Sequence, residues 1–266
     1  MERDSKQPDY LTVSIVHVLL TSLLIAFIQC DMFWTICAFL GTSSYIVIMI
    51  VPHTLIAIAT RSGNIPHIIA RYWARWTLLC SHVRIDVDGD DNIPAGPAVY
   101  MANHASYYDV LAILGYMNVQ FRWTVKKELY RIPLLNLAMK GAGYIMIDRG
   151  HHARAMAAMK VAAEKIRSGT SVMIFPEGTR SEDGKIKYPF KKGGFHLAIQ
   201  AGVPIVPIGI TGSRPILPKG SFTVRPGRIY MSIGTPIFPQ GKDVDTLMHE
   251  VCEAIKTNCK EDSNQS

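Results

Sequence analysis

AVYMANHASYYDVLAILGY, residues 98–116, is the stretch that decides how this chain folds. An apolar run halts at Asn103-His104, a short polar turn carries Ser106, and apolar residues then resume at helical spacing. His104 and Asp109 are five positions apart, which in one continuous helix would set their side chains about 140° apart. They can meet only if the histidine ends a strand and the aspartate lies beyond a turn. Residues 98–116 offer that strand, turn and helix.

The same alternation continues outward. Short β-rich runs at 83–89, 98–103, 121–125, 143–147, 171–175, 203–210 and 229–233 each predict a strand, several of them apolar on both faces as in a covered sheet. Helical patterns lie between them. Residues 153–169 put Met156, Met159, Ala163 and Ile166 on one stripe and end at Gly169, while 193–202 and 247–256 are shorter cases. Strands alternating with helices indicate an α/β domain, expected over 62–266.

The segment before it is of another kind. Between Tyr10 and Thr60 the only charged residue is Asp31. Residues 11–30 would reach about 30 Å as a helix, and Phe33 to Val51 is of similar length. Residues 1–61 are therefore expected to form an N-terminal membrane helical hairpin with Asp31 in its turn. A single span followed by an interfacial segment is one alternative. A cleaved signal peptide is another, and it fits poorly: the charges ahead of the run are mixed, and a second apolar run follows at once. Arg61, Arg71, Arg75 and Arg84 flank the second run, which by the positive-inside rule puts the α/β domain on the cytoplasmic side, in a bacterial setting at the inner membrane.

Charge is partitioned in the same way. The chain carries +7 overall, residues 1–60 contribute −2, and the remainder therefore carries +9. A basic domain at a membrane is drawn to anionic lipids. No nucleic-acid motif accompanies the charge, so nucleic acid is not expected as a partner. Five cysteines without C-x-x-C spacing imply reduced thiols and no metal site.

With 9 histidines and aspartate at about one position in twenty, chance supplies about half of one H-x-x-x-x-D pair, so context has to carry the motif. In a strand–turn–helix, Asp109 would hydrogen-bond one ring nitrogen of His104, fix its tautomer and stabilise the imidazolium formed when the other nitrogen takes a proton. Ser106 is more simply a turn residue than a nucleophile. The base would then act on a hydroxyl brought by a substrate. IFPEGTRSEDG (174–184) follows another strand and presents Arg180, whose planar fork suits a phosphate. Lys126 ends a further strand, and Asp148-Arg149 another. Ligands of open α/β sheets collect at such carboxyl ends.

NHASYYD, GYIMIDR, FPEGTRS and VPIVPI, in this order across residues 103–208, resemble the four motif blocks of the glycerolipid acyltransferase family, most closely its 1-acyl-sn-glycerol-3-phosphate acyltransferases. The resemblance implies a mixed, mostly parallel sheet flanked by helices, with His104 as base and Asp109 as its partner. It places Asn103, Glu177, Gly178, Thr179 and Arg180 at the acceptor, with Lys126, in a K-x-E-L segment, assisting Arg180. Met146 stands where many relatives carry Phe, and Arg149 remains an acceptor contact.

The implied reaction takes an acyl chain from acyl-CoA or acyl-ACP (acyl carrier protein) to the sn-2 hydroxyl of lysophosphatidic acid, giving phosphatidic acid, with no bound cofactor. A different lysolipid acceptor, a non-catalytic lipid-binding role and thioester hydrolysis are the competing functions.

Overall fold

A computed structural model describes residues 30–60, 63–148 and 150–259, together with Thr21, Ser22 and Ala26. The first apolar run, 11–30, thus lies almost wholly outside the described residues. The second opens a 30-residue helix, α1 (Asp31–Thr60), about 45 Å long. Its segment Asp31–Met49 is long and apolar enough to cross a membrane, with mean hydropathy 1.6 and 11% of it buried.

α1 does not stand away from the rest of the chain. It lies along α2 (Asn64–Cys80). The Tyr45 hydroxyl donates to the Ile69 carbonyl at 2.9 Å, and the Trp76 indole donates to the Gly41 carbonyl at 3.0 Å. A side chain at position 41 would put its Cβ 2.5 Å from Cys80 Sγ, so glycine is what lets the two helices close. At its start, Asp31 pairs with Arg225 at 2.7 Å, and the Val224 N–H donates to the Thr35 hydroxyl at 2.9 Å.

Seven strands follow: β1 (Val83–Asp88), β2 (Val99–Ala102), β3 (Phe121–Lys126), β4 (Ile145–Ile147), β5 (Ser171–Ile174), β6 (Ile205–Thr211) and β7 (Gly227–Ile233). The helices among and after them are α3 (Tyr107–Tyr116), α4 (Pro133–Gly141), α5 (His152–Arg167), α6 (Gly193–Ala201), α7 (Ser213–Ile216) and α8 (Val244–Asn258). The strands form one sheet in the order β1-β7-β6-β2-β5-β3-β4. Every pairing is parallel except β6 with β7. All seven predicted strands are present within two residues at each end, and the fold is the mixed, mostly parallel sheet flanked by helices.

Successive strand residues point to opposite faces, and both faces of β2 are covered. Tyr100 and Ala102 join α2 and α3 through Ala74, Leu78, Ala112 and Ile113. Val99 and Met101 join α5, α6 and α8 through Ala163, Leu197 and Val251. A strand buried on both sides needs the near-continuous apolar composition that residues 98–102 show. Because β2 to β6 run in one direction, their carboxyl ends share one edge of the sheet. β7, running the other way, begins at that edge.

Candidate functional site

β2 ends at Ala102, and the chain turns through Asn103-His104-Ala105 into Ser106, the N-cap of α3. The Ser106 hydroxyl accepts the Tyr108 N–H at 3.2 Å, and Asp109, the third helical residue, accepts the Ser106 N–H at 2.8 Å. This reciprocal capping box fixes the start of the helix. The same Asp109 Oδ2 also accepts the Ala105 N–H at 2.7 Å and meets His104 Nδ1 at 2.9 Å. The five-residue spacing is therefore that of a strand end and the third residue of a capped helix. Asp109 is fully buried, and its second oxygen, Oδ1, has no partner among the described residues.

The loop after β5 closes on His104 from the other side. Glu177 Oε1 accepts the His104 N–H at 2.7 Å, and the Ser181 N–H donates to the His104 carbonyl at 2.8 Å. Phe175 lies flat on the imidazole, with centroids 3.9 Å apart and planes 10° from parallel. Gly178 makes the turn between these contacts at φ +76°, a conformation that side chains disfavour. The next residues, Thr179 and Arg180, are half-buried. The Arg180 guanidinium rests 3.8 Å above the Tyr107 ring, leaving its planar edge to offer donors.

Two residues expected at the acceptor are committed elsewhere. The Asn103 amide donates to the Ile210 carbonyl and accepts the Ile210 N–H, both at 2.8 Å, which ties the end of β2 to β6. Glu177 gives its second oxygen to the Lys187 N–H at 2.9 Å and is 6% exposed. Both hold the loops around His104, since their polar atoms already have backbone partners. Lys126 is exposed at the end of β3. Arg149 lies outside the described residues.

Beside Lys126, a cleft of about 550 Å³ is lined by Lys127, Arg131, Met146, Asp148, Arg154 and Ala157. Asp148 is bonded by Lys127 at 2.8 Å and Arg154 at 3.0 Å, and these cations, with the Gly150 N–H, hold its carboxyl at about 2. The cleft adds three cations that sequence reading passed over. Nothing in their local pattern separates them from solvated surface charges.

Burial pushes the Glu177 carboxyl from its ordinary 4.5 up to about 7, although two N–H donors pull the other way. Between those values the folded protein keeps a proton that the unfolded chain has released, so this contribution to stability is lost as pH rises through about 7. Glu177→Gln resembles the protonated form and cannot titrate. The melting midpoint of the wild type should therefore fall relative to Glu177→Gln between about pH 4.5 and 7, by the equivalent of at most a free energy on the order of 3 kcal/mol. Midpoints that stay parallel across that range would show that Glu177 does not titrate in this way.

Known proteins with similar sequence and structure bear on the site as a whole. Residues 84–211 match the family model described as Acyltransferase. The chain is 33% identical over 225 residues to a chloroplastic 1-acyl-sn-glycerol-3-phosphate acyltransferase of Brassica napus, covering 82% of this chain and 64% of that one. It is 31% identical to an uncharacterized acyltransferase of Schizosaccharomyces pombe, across 76% of this chain and 80% of that one. The crystal structure of the 1-acyl-sn-glycerophosphate acyltransferase PlsC from Thermotoga maritima superposes with a TM-score of 0.74 at 28% identity, covering 85% of this chain and 93% of that one. The chain thus spans less than two thirds of the Brassica napus relative and nearly all of the bacterial structure.

Proposed function

This chain belongs to the acyltransferase family, and from that premise we propose that it transfers an acyl chain from a thioester to the sn-2 hydroxyl of 1-acyl-sn-glycerol 3-phosphate. The observation that carries the proposal is the His104–Asp109 pair at 2.9 Å, placed at the same sheet edge as Arg180 and Lys126. β2, β5, β3 and β4 are adjacent, so base and cations form a row with about 4.8 Å between strands.

With Asp109 on Nδ1, His104 Nε2 removes the proton from the acceptor hydroxyl as that oxygen attacks the thioester carbonyl. The tetrahedral intermediate collapses with loss of the thiol, which takes up the proton. No covalent enzyme intermediate is required, and either acyl-CoA or acyl-ACP supplies the thioester. The developing oxyanion needs donors. In the turn at 104–108, the N–H groups of His104, Ala105, Ser106 and Tyr108 already bond to side chains. This leaves the backbone N–H groups of Tyr107, Thr179 and Arg180 as the donors around the site.

Arg180 grips the acceptor phosphate, assisted by Lys126, with the neighbouring basic cleft adding to the field. Arg180→Ala should raise the acceptor KM by about 10- to 100-fold, as loss of a hydrogen bond to a charged group implies, with a smaller change in kcat. An unchanged KM would reject the assignment.

The protein works at a membrane. Phe39, Val47 and Val51 on α1 are 62–73% exposed, and Tyr72, Trp76 and Leu79 on α2 are also exposed. This two-helix apolar face is what a bilayer would cover, and the basic remainder of the chain suits anionic lipid heads. Since α1 is fastened to the domain from Asp31 to Tyr45, this helix meets lipid along its side.

The deciding assay supplies lysophosphatidic acid and a long-chain acyl-CoA, or acyl-ACP, beside a lysolipid that lacks the terminal phosphate. Phosphatidic acid should form from the phosphate-bearing acceptor alone. Equal turnover of the phosphate-free lysolipid, or release of free fatty acid without lipid product, would overturn the proposed acceptor or the transfer itself.

A further inference from the structure

We propose that Phe175 is a positioning residue for His104, its ring lying flat on the imidazole and holding the base in the one orientation from which Nε2 reaches the acceptor hydroxyl. This rests on His104 being the base. The histidine is fixed at its backbone by Glu177 and Ser181 and at Nδ1 by Asp109. One hydrogen bond at Nδ1 still leaves the ring free to tilt about that contact. A neighbour parallel to within 10° at 3.9 Å removes the tilt.

Phe175 is itself braced. It stacks on Trp123 at 5.3 Å and 26°, and Trp123 meets Phe121 edge to face at 5.3 Å. Trp123 is 4% exposed and Phe121 fully buried, so the brace belongs to the core of the sheet and not to a loop. The imidazole is thus the outermost ring of a stack that runs from β3 through the end of β5. A flat aromatic face also suits the imidazolium that forms during the reaction, because the ring's negative face attracts a cation.

The test compares Phe175→Leu and Phe175→Met, which keep apolar bulk and lose the flat face, with Phe175→Tyr, which keeps it. Misplacement of a base lowers kcat by about 10- to 100-fold without touching acceptor affinity. Leu and Met variants should show that loss with acceptor KM within about twofold of wild type, and Tyr should restore kcat. A second readout needs no turnover: ethoxyformylation of His104 by diethyl pyrocarbonate, followed by mass spectrometry on the whole protein, should quicken in Leu and Met and stay at the wild-type rate in Tyr.

Overturning results are a kcat near wild type in Leu and Met, a raised KM with kcat intact, which would make Phe175 a pocket wall, or unchanged modification of His104 in the folded Leu and Met variants. If the wild type transfers nothing to lysophosphatidic acid, the proposed reaction fails, while the modification rates still decide whether Phe175 holds His104.

Discussion

His104→Ala should abolish acyl transfer to lysophosphatidic acid while the protein stays folded. Removing a general base lowers the rate by about 10²- to 10⁴-fold. The structure explains why the fold should survive. The imidazole sits at a strand end with 13% of its side chain exposed, and without it Asp109 Oδ2 still accepts the Ala105 and Ser106 N–H groups. The carboxylate is not stranded and the capping box stays closed. Phosphatidic acid formation and the melting midpoint, measured together, separate the two effects. Activity within about tenfold of wild type would remove His104 from the role of base.

The second large effect concerns Asp109, where two substitutions should part company. All three of its hydrogen bonds end on Oδ2, and the buried Oδ1 has none among the described residues. Asparagine can place its carbonyl oxygen where Oδ2 stands, which keeps the helix start and the histidine tautomer. What it loses is the negative charge facing the imidazolium, and its amide nitrogen takes the unpartnered position. Asp109→Asn should therefore remain folded and lose on the order of 10²-fold in kcat.

Asp109→Ala leaves two buried N–H groups and the imidazole without their acceptor. Loss of the cap costs about 1 to 2 kcal/mol, and each unsatisfied buried donor about 1 to 3 kcal/mol. The midpoint should drop by roughly 5 to 15 °C, with transfer at least as low as in His104→Ala. Equal behaviour of the two variants in stability and in rate would refute the division of labour between the two oxygens.

The opening stretch was legible because hydrophobic periodicity changes at Asn103, from a strand buried on both faces to a helix with a polar first turn. The same signal located the other six strands, and their alternation with helices pointed to the sheet edge on which His104, Lys126 and Arg180 lie. What sequence does not encode locally is the identity of partners. Asn103 meets Ile210, 107 residues away, and His104 meets Glu177, 73 residues away. Nothing in either segment distinguishes a side chain aimed at a ligand from one aimed at another loop. Phe175 has the appearance of one more strand residue, and Tyr107 that of an aromatic in a helix. Only the packing of β5 beside β2, and the turn from β2 into α3, set them against His104 and Arg180.

The docking of α1 has a bearing on substrate supply. Asp31 and Thr35 are fastened to Arg225 and Val224, just ahead of β7, and β7 starts at the edge where β2 delivers His104. The apolar residues 11–30 are joined to α1 at that point. A lysolipid diffusing laterally in the leaflet would then arrive beside the base already oriented, head group toward the cations and chain toward the bilayer. Encounter would be set by surface density in two dimensions, and turnover should follow the mole fraction of acceptor in the vesicle more closely than its bulk concentration.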